Sequence, residues 1–118
     1  ALLDRHGVGD IAEVRAAPLA EVEVAGYTGR WYDPQALASL RDIGLLLVDG
    51  PPAATGVHAR FPAVPLLADK FAPAVSVVLD DMIRNDEQEV ARMWEELLPG
   101  FEREDLRLQK RAAVFRRD

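Results

Sequence analysis

The run Ile43-Gly44-Leu45-Leu46-Leu47-Val48 leads directly into Asp49-Gly50-Pro51-Pro52, and it constrains the fold more than any other stretch. An unbroken apolar run closed by turn residues is the pattern of a strand covered on both faces. Gly-Pro-Pro stops any helix from continuing it, because proline lacks the backbone N–H and crowds the preceding turn. Open parallel sheets hold their ligands beyond the carboxyl ends of such strands. The Asp49 end is therefore where function is expected.

Residues 74–79, Ala-Val-Ser-Val-Val-Leu, repeat the design and break into Asp80-Asp81. Between the two runs, residues 60–71 place Phe61, Val64, Leu67, Ala68 and Phe71 at helical spacing, with Pro62 and Pro65 tolerable near a helix start. Strand, helix, strand is a parallel crossover unit. Its usual right-handed form brings both strand ends, and with them Asp49 and Asp80, to one sheet edge.

The flanks read less sharply. Residues 12–17 suggest a short strand stopped by Pro18, residues 21–24 alternate as a half-exposed strand would, and Gly26 and Gly29 mark a flexible connection. Asp33-Pro34 opens a short helix that ends near Arg41, with Leu37 and Leu40 facing inward. Residues 85–89 open a helix with Asp86 and Glu89 as a capping box and Val90, Met93, Trp94 and Leu97 as its inner stripe, stopped by Pro99-Gly100. Residues 101–108 and 112–115 read as an antiparallel hairpin. Residues 1–7 look like the last turn of a helix closed by Gly7.

The whole, residues 1–118, suits a single α/β domain, since 49% hydrophobic residues supply a core. A formal net charge of −6 argues against nucleic acid as the main partner. Lys110-Arg111 and Arg116-Arg117 read as a solvated hairpin face. The absence of cysteine excludes disulfides and thiolate metal sites. With no run of membrane-spanning length and no secretory pattern at the start, no membrane partner and a cytoplasmic location are expected.

Three motifs in order, Leu46-Leu47-Val48-Asp49-Gly50-Pro51-Pro52, Arg60-Phe61-Pro62-Ala63-Val64-Pro65-Leu66-Leu67 and Val77-Val78-Leu79-Asp80-Asp81, resemble a class I S-adenosylmethionine-dependent methyltransferase over residues 12–117. Trp31-Tyr32-Asp33 before them and the hairpin after them add to the resemblance. It implies a Rossmann-like sheet, mostly parallel with a terminal antiparallel hairpin, and methyl transfer to an oxygen or nitrogen of a small molecule. The family's glycine-rich cofactor loop and the ribose-holding acid of its second strand have no counterpart here, and Gly7-Val8-Gly9 follows no strand. The chain thus looks like the carboxyl-terminal portion of such a domain, lacking its first two strands. An apolar sheet edge bared in this way would recruit a second copy or re-pair, so a homodimer through that edge is expected.

The resemblance also suggests roles. Asp49, Asp80 and Asp81 would hold a divalent cation such as Mg²⁺, which prefers oxygen ligands, as in catechol O-methyltransferase-like enzymes, where the metal lowers the pKa of the substrate hydroxyl. The family's basic lysine is replaced here by Gly50-Pro51-Pro52, which leaves His58 as the nearby proton acceptor. Ala16, Ala17 and Pro18 would border the adenine of the cofactor, and Asp49 would be both cofactor-binding and catalytic. Trp31 and Tyr32 would border the substrate, and Arg60 would clamp an anionic substrate. Each has a plainer reading: turn-forming aspartates, a loop histidine, a structural bridge at Arg60, and packing at a helix entrance for the two aromatics. Two other classes stay open. A non-catalytic α/β interaction module predicts no cofactor binding, and a metal-dependent hydrolase predicts metal binding alone.

Overall fold

Strand β3, Ile43–Val48, forms where the apolar run predicts it, and β4, Phe71–Leu79, pairs with it in parallel, Val48 opposite Leu79. The computed structural model describes residues 11–107 and 111–118. The expected helix end at residues 1–7, the Gly7-Val8-Gly9 loop and the hairpin junction at Lys110 lie outside them. A hairpin of β5, Glu102–Leu106, and β6, Ala112–Arg117, completes a mixed four-stranded sheet in the order β3-β4-β6-β5. Only β3 with β4 is parallel, because the last strand inserts antiparallel between β4 and β5. The expectation of a mostly parallel sheet is corrected to a mixed one.

The crossover is shorter than its spacing suggests. Helix α1 is confined to Ala63–Leu67, followed by a 3₁₀ turn at Ala68–Lys70, since Pro62 and Pro65 remove donors at its start and β4 begins at Phe71. Helix α2, Asn85–Leu97, turns Val90, Ala91 and Trp94 inward with Glu87, while Leu97 is exposed and Met93 half-buried. The expected capping box does not form. Arg84 precedes the helix without a side-chain cap, and Asp86 and Glu89 are engaged by His58 instead.

Residues 12–17 form no strand. Arg15 ties the segment sideways, its Nη1 donating to the Ala36 carbonyl at 3.0 Å and to the Ser39 hydroxyl at 2.9 Å. The hairpin lies further on, with β1, Leu19–Val24, antiparallel to β2, Tyr27–Tyr32. What reads as a flexible connection at Gly26 and Gly29 is its turn and second strand. Ala25 and Gly26 both take positive φ, +50° and +79°, as a tight two-residue hairpin turn requires. Asp33 does cap the next element, accepting from the Gln35 N–H at 3.0 Å, but that element is one 3₁₀ turn, Pro34–Leu37.

The core runs from Val22 and Trp31 of the hairpin through Val48, Val77 and Leu79 of the sheet to Trp94 of α2. Trp94 is fully buried, its Nε1 donates to the Phe61 carbonyl at 3.0 Å, and its ring meets Phe115 edge-on with centroids 5.9 Å apart. Strand β3 is not covered on both faces by the described residues, and Leu45 and Leu47 are 67% and 63% exposed. No described helix is long and apolar enough to cross a membrane.

Candidate functional site

Because β3 and β4 are parallel and in register at Val48 and Leu79, their next residues emerge at the same edge. The Asp80 N–H donates to the Val48 carbonyl at 3.1 Å and locks the two ends together. Asp49, Asp80 and Asp81 each bring a carboxylate oxygen within 4.8 Å of the other two. Asp81 sits at φ +60°, a left-handed conformation that a short polar side chain tolerates better than most, and its N–H donates to Asp80 Oδ1 at 2.8 Å.

Beside this trio Arg60 is almost wholly buried. Its Nη1 and Nε donate to the carbonyls of Asp80 and Pro51 at 3.3 and 3.4 Å, and its Nη2 donates to Asp81 Oδ2 at 3.3 Å. Asp49 Oδ1 and Glu87 Oε1 each lie 3.9 Å from the guanidinium. A side chain so enclosed bridges the strand ends and has no free face for a substrate, so the structural reading of Arg60 holds over the anion clamp. Arg84 adds a second cation, 2.7 Å from Asp81 Oδ2 and 3.6 Å from Glu87 Oε1.

These charges set the acidity of Asp81. Burial pushes its carboxyl up, but the Arg84 hydrogen bond and the Arg84 and Arg60 charges outweigh it and hold the group below the ordinary carboxylate range. Glu87 is itself buried, and its Oε2 has no hydrogen-bond partner among the described residues. Sequence reasoning missed both Arg84 and Glu87, although their i,i+3 spacing at a helix start is a readable sign of pairing. Four carboxylates, Asp49, Asp80, Asp81 and Glu87, against two guanidiniums leave two formal negative charges.

A cavity of about 330 Å³ opens beside Asp49. Trp31, Tyr32, Leu46, Val48 and Gly50 are among its walls, so the two aromatics and the first aspartate do meet. Gly50 sits close to Tyr32, since a Cβ there would come within 2.5 Å of the Tyr32 hydroxyl and the ring would have to shift. The buried Trp31 Nε1 has no hydrogen-bond partner among the described residues. Ala16, Ala17 and Pro18 do not line this cavity, and the strand expected to present them is absent.

His58 belongs to another cluster. Its Nε2 lies 2.6 Å from Glu89 Oε2 and 3.8 Å from Asp86 Oδ1, and both Asp86 oxygens accept from its backbone N–H at 3.0 Å. The bond to His58, before the charges of His58 and Arg92, holds the Glu89 carboxyl below its usual range. With its Nε2 on Glu89, His58 is not brought to the aspartates as a base. No protein-family model, curated protein or solved structure matches the chain.

Proposed function

We propose that this chain carries the strand-end part of the active site of an S-adenosylmethionine-dependent methyltransferase of Rossmann-like type, acting on an oxygen or nitrogen of a small molecule. The observation that carries the reading is the convergence of Asp49, Asp80 and Asp81 at the carboxyl ends of two parallel strands, with a cavity walled by Trp31 and Tyr32 against Asp49. The cofactor would supply a methyl group on a sulfonium cation. Aromatic walls beside a carboxylate suit such a cation. The glycine-rich loop and ribose acid that the resemblance implies have no counterpart among the described residues, so the fit is to the reactive end only.

A divalent cation fits Asp49 and Asp80. Mg²⁺ takes one or two carboxylates and keeps several waters, and two uncompensated negative charges match it. Asp81 suits it less well, because its Oδ2 already accepts from Arg60 and Arg84. Its role is to anchor the arginines that shape the edge.

Calorimetric titration of S-adenosylhomocysteine in the presence of Mg²⁺ tests the reading. Saturable heat that is lost in Asp49→Asn supports it. Mg²⁺ binding with no response to S-adenosylhomocysteine would replace it with metal-dependent hydrolysis. Neither heat would leave a non-catalytic module.

A further inference from the structure

A second cavity, of about 430 Å³, lies where α2 meets the ends of β5 and β6, and Met82, next after the aspartate pair, is on its wall. Arg92, Arg103, Arg107 and Arg111 line it with Glu95 and Asp105. Arg103 is already engaged. It pairs with both of those carboxylates and its guanidinium rests over the Phe115 ring, 5.8 Å from the centroid. Arg92, Arg107 and Arg111 form no ion pair among the described residues, although the charge of Arg92 is felt at Glu89. Four guanidiniums against two carboxylates leave two positive charges, in a chain whose formal net charge is −6.

Like charges gather in a concave site at a cost unless an ion of the other sign offsets them, and a recessed cavity concentrates their field on such an ion. Guanidinium presents forked donors that match the two oxygens of a carboxylate or phosphate, which ammonium cannot do. We propose that this cavity binds a small molecule carrying a doubly charged oxyanion, of the phosphomonoester or dicarboxylate kind, on Arg92, Arg107 and Arg111. Met82, Leu106 and Ala112 supply apolar wall for the carbon part of the ligand. Arg111 is exposed, as the solvated-face expectation has it, so the ligand would meet it at the mouth of the cavity. The proposal does not rest on the methyl-transfer reading, because it uses none of the residues of the Asp49 edge.

The test is an amide and guanidinium NMR titration of the whole chain with inorganic phosphate and with malonate, using sodium chloride at matched ionic strength as the control. Saturable shifts at Met82, Arg92, Arg107 and Arg111 with either dianion are expected, and the tighter of the two names the ligand class. The double variant R107Q/R111Q should bind at least about tenfold more weakly, as loss of charge-assisted hydrogen bonds implies. R30Q/R41Q, the same two-charge change made at arginines that do not line the cavity, should bind as the parent does. If the double variant does not fold, R92Q takes its place. Shifts that sodium chloride reproduces, or dianion binding unchanged in the arginine variants, would overturn the proposal.

Discussion

The Arg60 guanidinium and the Glu87 carboxylate are both buried, 4% and 2% exposed, and approach to 3.9 Å behind the strand ends that carry Asp49 and Asp80. Removing one member of a buried pair leaves the other charge uncompensated, which costs far more than the pair contributes. Arg60→Met also orphans the Pro51 and Asp80 carbonyls. It should lower unfolding free energy by about 3 kcal/mol, and R60M/E87L should recover only the part due to the buried Glu87 charge, since the two carbonyls stay orphaned. Urea unfolding of the two variants checks it. Equal destabilisation in both would show that the pair is not coupled.

Acid should loosen the same edge. Asp81 has a folded pKa below its unfolded one, so its contribution is fully present above the ordinary carboxylate range and is lost as pH falls through the lower folded value. Stability of the parent chain should therefore fall more steeply than that of Asp81→Asn as pH drops from neutral into the acid range. The difference between them should shrink toward low pH. Urea midpoints across that range measure it, and a constant difference would dismiss the Arg84–Asp81 contact as a source of stability.

Trp94 joins α2 to the rest of the core through a hydrogen bond to Phe61 and an edge-on contact with Phe115. Trp94→Ala should cost about 4 kcal/mol, in the range of large-to-small aromatic truncations. Trp94→Phe keeps most of the volume and drops the donor, so it should cost about 1–2 kcal/mol. Far-UV circular dichroism in denaturant separates the two. Similar losses in both would shift the weight from volume to the hydrogen bond.

The parts legible in the sequence were those whose pattern is local and strong. The apolar run at Ile43–Val48 and its acid end were correctly placed, as were the core role of Trp94 and the terminal hairpin, because period and turn residues agree there. Where a partner far along the chain decides the outcome, the pattern fails. Asp86 and Glu89 look like a capping box until His58, some thirty residues away, takes both. Residues 12–17 look like a strand, but the Arg15 side chain reaches Ala36 and Ser39 and gives the segment another place. Arg60 could be either clamp or bridge until its burial decides the matter. At the site, convergence of the aspartates followed from parallel strands, whereas Glu87 and the arginine cavity follow from packing that no spacing encodes.

Strand β3 ends the sheet among the described residues, and it carries neither charge nor proline between Ile43 and Val48 to deter pairing. Two copies meeting antiparallel with Leu46 opposite Leu46 would set exposed Leu45 of one against exposed Leu47 of the other, on one face. The expected outcome is a concentration-dependent dimer by sedimentation equilibrium. Leu45→Lys and Leu47→Lys put like charges into the seam and should shift the equilibrium to monomer by about tenfold or more in dissociation constant. A chain that remains monomeric at high concentration would dismiss the dimer, and a dimer indifferent to both lysines would place its contact elsewhere.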